Sequence, residues 1–135
     1  MLILRIISEA KKIMRFLLVE ENKDFREYLK ELINNHGDEC IDHKEEINLN
    51  EDYKNYLPDL VVIDLHLKNM SGFKAAKELL NEFPDARIAF LTNFEDELLN
   101  AAAESIGVKT VISKEFLYEF YDMIKSEKNN LQAEP

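Results

Sequence analysis

The stretch PDLVVIDLHLKNMSG, residues 58–72, decides the fold of this chain. Its apolar run from Leu60 to Ile63 follows Pro58, which can neither continue a helix nor donate to a β-ladder. A short run of this kind, rich in β-branched residues, predicts a strand buried on both faces. Such strands are typical of parallel sheets covered by helices, where ligands bind beyond the carboxyl ends of the strands. Asp64 lies at such an end, although a single aspartate there is more often an ordinary loop residue.

Short apolar runs alternate with helical patterns from Met14 onward. The predicted strands are residues 16–19, 39–43, 60–64, 88–92 and 109–113. Helices are predicted over 24–36, 45–56, 71–83, 95–105 and 115–128, with Asp24 and Ser71 as N-cap residues. The residues predicted to face the core are Phe25, Tyr28, Leu29, Leu32 and Ile33 in the first helix, Leu98, Leu99, Ala102 and Ala103 in the fourth, and Phe116, Leu117, Phe120 and Ile124 in the last. This alternation predicts an α/β fold of flavodoxin-like type, a doubly wound five-stranded parallel sheet with helices on both faces.

The length of 135 residues suits one domain with a single core. We expect that domain to span residues 14–128, with 129–135 as a polar tail and 1–13 as an N-terminal extension or the product of an upstream start. The apolar residues near Met1 are too few to cross a bilayer, and no basic leader or cleavage site accompanies them. The sequence therefore predicts a cytoplasmic protein without membrane contact.

The net charge of −10 and the pI near 4.8 argue against a nucleic-acid surface, because a phosphate backbone would be repelled. Proteins and cations are the expected partners. The single cysteine, Cys40, cannot form an internal disulfide, and it completes no metal site with the nearby histidines. A buried, inert thiol is expected.

Polar residues end four of the five predicted strands. Parallel strands bring their carboxyl ends to one edge of the sheet, so we expect these side chains to converge there. They are Glu20, Glu21, Asp64, Thr92 and Lys114. Clustered carboxylates with no arginine nearby repel each other, and Mg²⁺ relieves such repulsion. With a phosphoryl group present, Asp64 would attack phosphorus while Thr92 and Lys114 take up charge on the oxygens.

These motifs resemble those of the receiver domains of two-component response regulators, over about residues 15–127. The resemblance rests on the acidic pair in LLVEEN, the aspartate in PDLVVIDLHLKNMSG, the threonine in AFLTN and the lysine in VISK. It implies that Asp64 accepts phosphate from a histidine kinase or histidine phosphotransferase. It also implies a Mg²⁺ site of Glu20, Glu21, Asp64 and the backbone carbonyl of His66, in which Glu21 meets the metal directly and Glu20 acts through water.

The resemblance further implies a signalling protein similar to chemotaxis regulators that acts on a downstream protein target. No output domain is expected, because the chain ends soon after its predicted fifth helix. Any catalysis would be limited to its own phosphorylation from small donors and its own dephosphorylation.

Five features depart from the pattern of the family. The acidic pair is Glu-Glu, Lys68 stands where proline is usual, Glu115 stands where a proline often follows the lysine, Asn93 replaces a small residue, and Val111 replaces a switching aromatic residue. An alternative function is therefore a pseudo-receiver that binds a partner without phosphorylation. An FMN protein or an aspartate-nucleophile phosphatase fits poorly, because the loop EENKD lacks glycine and small hydroxyl residues to cradle a phosphate, and no second carboxylate lies two residues after Asp64.

Overall fold

The computed structural model describes residues 13–43, 48–68, 71–94 and 96–122. The strands are β1 (Arg15–Val19), β2 (Glu39–His43), β3 (Leu60–Asp64), β4 (Ile88–Thr92) and β5 (Thr110–Ser113). The α-helices are α1 (Lys23–Asn35), α2 (Leu49–Tyr56), α3 (Gly72–Glu82) and α4 (Glu97–Ser105). A 3₁₀ segment, Lys114–Glu119, follows β5, and residues 120–122 are α-helical.

The five strands form one parallel sheet in the order β2-β1-β3-β4-β5. In its centre Leu18 of β1 pairs with Val62 of β3, which in turn pairs with Ala89 of β4. The connections therefore wind both ways from β1, and the predicted doubly wound fold is confirmed. Because β3 is central and fully buried, its carboxyl end lies in the middle of the edge where the predicted site residues are expected to converge.

Both faces of the sheet are covered by apolar packing. On one face Val61, Ile63 and Phe90 pack with residues of α2, α3 and α4, including Leu79 and Ala103. On the other face the core is formed with α1 and the segment after β5, and its members include Phe16, Leu18, Val62, Leu29, Ile33 and Phe120. This double covering explains why the strands read as continuous apolar runs and not as alternating ones.

The start and the buried face of α1 differ from the prediction. The N-cap is Asn22, whose side chain accepts the Phe25 N–H, and not Asp24. The buried residues of α1 are Arg26, Leu29 and Ile33, whereas Tyr28 is half exposed. The predicted Phe25, Leu29, Leu32 and Ile33 all pack into this core, so the buried face departs from the prediction in that Arg26 is buried and Tyr28 is not.

Two further predicted faces are partly wrong. In α4, Leu98 is 82% exposed and Ala102 is exposed, while Ala103 is buried. The N-cap Asp96 starts α4 later than predicted. After β5, Phe116 has non-helical backbone angles and is 45% exposed, so it is not part of the buried stripe.

Several predictions concern residues outside the described part of the chain. They are the extension over residues 1–12, the end of the last helix over 123–128 with Ile124, and the polar tail over 129–135. Cys40 is a partly buried free thiol, and burial raises the pKa of that thiol, in agreement with an inert side chain.

Candidate functional site

Asp64 ends β3 at the carboxyl edge of the sheet and is 4% exposed. Its Oδ1 accepts the backbone N–H of His66 at 2.9 Å, and its Oδ2 accepts the Lys114 ammonium at 2.9 Å. Gly72, the first residue of α3, lies against the same turn, because a Cβ there would come within 2.6 Å of the Asp64 carbonyl oxygen. Only glycine lets α3 begin this close to the strand end.

Glu20 is the second carboxylate that the fold brings to this point. It follows β1, the neighbour of β3, and is 1% exposed. Its Oε1 accepts the Asn22 N–H at 3.0 Å, and its Oε2 lies 3.0 Å from Lys114 Nζ. Lys114 thus bridges Glu20 and Asp64, which confirms that these three strand ends converge.

The electrostatics of this trio are those of one cation shared by two buried anions. Burial raises the pKa of Glu20, and the negative charge of Asp64 acts in the same direction, although contact with Lys114 opposes both. Burial alone would lower the pKa of Lys114, but its contacts with Asp64 and Glu20 outweigh burial and raise it. The ammonium therefore stays charged, and the trio carries one excess negative charge when both carboxylates are ionised.

Glu21 does not join the trio. Both of its carboxylate oxygens accept the backbone N–H of Lys68, at 2.8 and 2.9 Å. Lys68 belongs to the loop between β3 and α3, so this contact connects the loop after β1 to the loop after β3. The side chain of His66 is exposed, and its backbone N–H is the group seen in contact with Asp64.

Thr92 ends β4 and is 1% exposed. It directly follows Leu91, the register partner of Asp64, so the predicted threonine lies at the same edge. Its hydroxyl donates to the Phe94 carbonyl at 3.1 Å and lies 3.2 Å from the Phe94 N–H, which donates to it. Thr92 therefore holds the loop between β4 and α4.

Arg26 is a site residue that the sequence analysis missed, since no arginine was expected near the carboxylates. It is 5% exposed, and its Nη1 donates to the backbone carbonyls of Glu20 at 2.8 Å and Glu21 at 3.4 Å. Its Nε lies 3.1 Å from a carboxylate oxygen of Asp42 at the end of β2. The spacing of Arg26 with Leu29 and Ile33 on one helix face was the available signal.

Phe25 is a second neighbour of the site that the sequence placed simply in the core. The Lys114 ammonium lies 4.5 Å from the centre of its ring, a cation–π distance. The ring thus provides an apolar wall beside the ammonium, whose side chain is 15% exposed.

The donors present fit a divalent cation in part. The Glu20 Oε2 atom is buried, and its ion pair with Lys114 lacks hydrogen-bond geometry, so among the described residues it has no hydrogen-bond partner. A hard cation suits such an oxygen and the excess negative charge of the trio. Within the described ranges, however, no three acidic, histidine or cysteine side chains already converge as a metal-binding group. Glu21, directed at Lys68, is the predicted ligand that stands apart.

Comparison with known proteins decides the family. The sequence matches the response regulator receiver domain over residues 16–125. The chain belongs to this family. It is a receiver domain of the two-component type and thus a signalling module, as the resemblance implied. None of the helices in the described part of the chain is long and apolar enough to cross a membrane.

Individual relatives agree with this assignment. The chemotaxis protein CheY of Thermotoga maritima is 29% identical over 106 residues, which cover 76% of this chain and 86% of that protein. The CheY of Bacillus subtilis is 29% identical over 103 residues, with the same shares of 76% and 86%. The transcriptional regulatory protein DegU of Brevibacillus brevis is 22% identical over 111 residues, covering 81% of this chain but 46% of that protein. This receiver domain therefore spans most of the CheY proteins and less than half of DegU.

Solved structures show the same fold. The non-phosphorylated HemR receiver domain from Leptospira biflexa superposes with a TM-score of 0.78 at 28% identity, covering 85% of this chain and 94% of that one. A two-component response regulator of the LuxR family from Aurantimonas sp. SI85-9A1 gives a TM-score of 0.81 at 21% identity, covering 88% and 87%. The five-stranded flavodoxin-like architecture is thus that of known receiver domains.

Proposed function

We propose that this receiver domain accepts a phosphoryl group on Asp64, from a histidine kinase or a histidine phosphotransferase, and passes the signal to a protein target. The observation that supports this most is the Lys114 bridge, which joins the Asp64 and Glu20 carboxylates at 2.9 and 3.0 Å. Asp64 is a buried carboxylate at the end of a central parallel strand, next to the Lys114 ammonium, and such a carboxylate can attack phosphorus as a nucleophile.

In the proposed step an Asp64 carboxylate oxygen attacks the phosphorus of the donor. A new P–O bond forms, and the bond between phosphorus and the donor breaks with its electron pair leaving on the donor, as acetate when acetyl phosphate is used. Lys114 is placed to neutralise charge on the phosphoryl oxygens, and the Thr92 hydroxyl would donate to one of them after releasing the Phe94 carbonyl.

Mg²⁺ is the proposed cofactor, held by Glu20, Asp64 and the backbone carbonyl of His66, with Glu21 as a further ligand. When bound, it would neutralise the charge of the carboxylates and the phosphoryl oxygens. The chain itself orients the two glutamates, because Arg26 donates hydrogen bonds to the backbone carbonyls of Glu20 and Glu21 and so fixes the loop after β1, here called the acidic loop.

Incubation with Mg²⁺ and acetyl phosphate tests the proposal. Intact mass should show one added phosphoryl group on the parent protein and none on Asp64→Asn, because an amide is not a nucleophile of this kind. Asp85→Asn is a matched control, since Asp85 is exposed and precedes β4 at the opposite edge of the sheet. Equal labelling of Asp64→Asn and the parent would refute the assignment of Asp64.

The second candidate function is a pseudo-receiver that binds its partner without phosphorylation. The observation that favours it is the position of Glu21, whose carboxylate is bound to the Lys68 N–H. Of the three carboxylates predicted to bind Mg²⁺, only Glu20 and Asp64 then lie beside the Lys114 ammonium. The same experiment separates the two, because a parent protein that stays unlabelled with every donor would support the pseudo-receiver. For either function we propose a cytoplasmic protein whose receiver unit is residues 14–128.

A further inference from the structure

The contact between Glu21 and Lys68 supports an inference about how the site binds a divalent cation. The single Lys68 N–H is shared by both oxygens of the Glu21 carboxylate, at 2.8 and 2.9 Å. The two residues are 47 positions apart in sequence, in the loops that follow β1 and β3. Glu20 lies at the start of the first loop and Asp64 ends the strand before the second, and these are the two carboxylates that Lys114 bridges.

The backbone of residue 68 is what makes the contact possible. A proline at this position would have no N–H to donate, so only a residue other than proline can bind the Glu21 carboxylate in this way. Glutamate also has one methylene group more than aspartate, and its carboxylate reaches further across the gap between two loops. Glu21 and Lys68, two departures from the receiver pattern in the sequence, are therefore the two halves of one hydrogen bond.

We propose that this hydrogen bond is a latch that keeps the Glu21 carboxylate away from the Glu20 and Asp64 pair. A divalent cation at this edge is then bound first by Glu20 and Asp64, and it gains Glu21 as a ligand only when the latch opens. The inference rests on the proposed function, because it concerns the cation that this function requires.

The size of the effect follows from the exposure of the latch. A hydrogen bond to a charged acceptor is strong when buried, but Lys68 is exposed and water competes for both groups. We therefore expect the latch to weaken Mg²⁺ binding by a factor of roughly three to ten. Because Glu20 is buried against Lys114 and Glu21 is occupied elsewhere, loss of the Glu20 charge should weaken binding more than loss of Glu21.

The first test compares Lys68→Pro with Lys68→Ala by calorimetric titration with Mg²⁺. Both variants lose the lysine charge, but only Lys68→Pro loses the N–H that Glu21 binds. Lys68→Pro should bind Mg²⁺ about three to ten times more tightly than Lys68→Ala. In a Glu21→Ala background the two should bind equally. Equal affinities in the parent background, or a difference that persists without Glu21, would overturn the latch.

The second test needs no proline, and it remains decisive if Lys68→Pro does not fold. Hydrogen exchange of the Lys68 amide is measured by NMR in the parent, Glu21→Ala and Glu20→Gln proteins. The amide should exchange several times faster in Glu21→Ala, and also in the parent once Mg²⁺ is saturating, but not in Glu20→Gln. An unchanged exchange rate in Glu21→Ala would overturn the proposal.

The two proposals fail in different ways. Absence of Mg²⁺ binding in every variant would overturn the latch as a regulator of cation binding. Intact Mg²⁺ binding with the expected difference between the Lys68 variants, but no phosphoryl group on Asp64, would refute the proposed function and leave the latch in place.

Discussion

Glu20 is the residue whose charge and burial best explain why the proposed site would favour a cation. It is buried beside Asp64, and one ammonium, that of Lys114, serves both carboxylates. In low dielectric surroundings the remaining negative charge is costly, and it is relieved either by a proton or by a metal ion. With the proposed cofactor, we therefore expect protons and Mg²⁺ to compete for the same carboxylate.

This competition predicts a pH dependence of Mg²⁺ binding. Burial, together with the nearby Asp64, raises the pKa of Glu20 above its ordinary value of 4.5. Since the cation binds the ionised form, Mg²⁺ affinity should be full well above this raised pKa and be lost as the pH falls through it, beginning above 4.5. Affinities measured at a series of pH values would show this.

Glu20→Gln is the control for this pH dependence. It should bind Mg²⁺ more weakly, and its profile should lose the step that begins above 4.5 in the parent. An identical pH profile in the parent and in Glu20→Gln would assign the dependence to another group.

Some side-chain positions at this site could be predicted from the sequence, and others could not. The convergence of Glu20, Asp64 and Lys114 was predictable, because parallel strands bring their carboxyl ends to one edge. The direction of Glu21 was not, since it depends on the backbone N–H of Lys68 in a loop distant in sequence. Patterns of side chains contain no information about such a donor.

At the scale of elements, α1 is tied to the sheet by Arg26. This side chain connects the helix to the carbonyl of Glu20 after β1 and to Asp42 at the end of β2. Periodicity predicted α1 and most of its buried face, but not the burial of Arg26, because arginine counts as a polar residue in an apolar pattern. Tyr28 was placed in the core because its spacing fits that pattern, and in the structure it is half exposed.

Replacing Arg26 should destabilise the fold far more than replacing a less buried cation on the same helix. Arg26→Met leaves the buried Glu20 carbonyl without its donor and Asp42 without its closest cation, at a cost of about 2–4 kcal/mol. Lys30→Met is the matched control, since Lys30 also contacts Asp42, at 3.6 Å, but its side chain is 30% exposed. It should cost less than about 1 kcal/mol.

Urea denaturation of both variants measures the two free energies of unfolding. Similar losses for Arg26→Met and Lys30→Met would mean that the arginine is solvated in solution and does not anchor the acidic loop. A large loss confined to Arg26→Met would support the anchoring role that its burial indicates.

At the scale of the whole molecule, the site is connected to the neighbouring surface through the loop after β4. The Thr92 hydroxyl is bound to the backbone of Phe94, whose side chain is 75% exposed. Phe94 borders an open pocket of about 340 Å³ between the ends of β4 and β5. Its lining residues are Asn93, Phe94, Asp96, Glu97, Asn100, Ser113, Glu115 and Phe116. A change in the Thr92 hydrogen bonds would therefore alter the wall of this pocket.

The next strand, β5, offers a poorer route for a signal from Asp64 to the surface. Val111 is 7% exposed and pairs with Phe90, so it fills the core of the sheet. A β-branched side chain is stiff about its first torsion angle and has no ring that could move into a vacated space. We therefore infer that a signal at Asp64 reaches the surface through the order of the loop after β4 and not through a rotamer change in β5.

Amide chemical shifts with a beryllium fluoride mimic of aspartyl phosphate test this route. Addition of the mimic should pull the Thr92 hydroxyl from Phe94, so shift changes should be larger at residues 92–97 than at Val111 or at residues 114–121. Asp64→Asn, treated in the same way, should show neither set of changes. If residues 109–121 shift while the loop after β4 stays silent, Val111 transmits the signal despite its stiffness, and the loop mechanism is wrong. The expected pattern would instead mean that the Thr92 bond to Phe94 is the part of the fold that phosphorylation breaks.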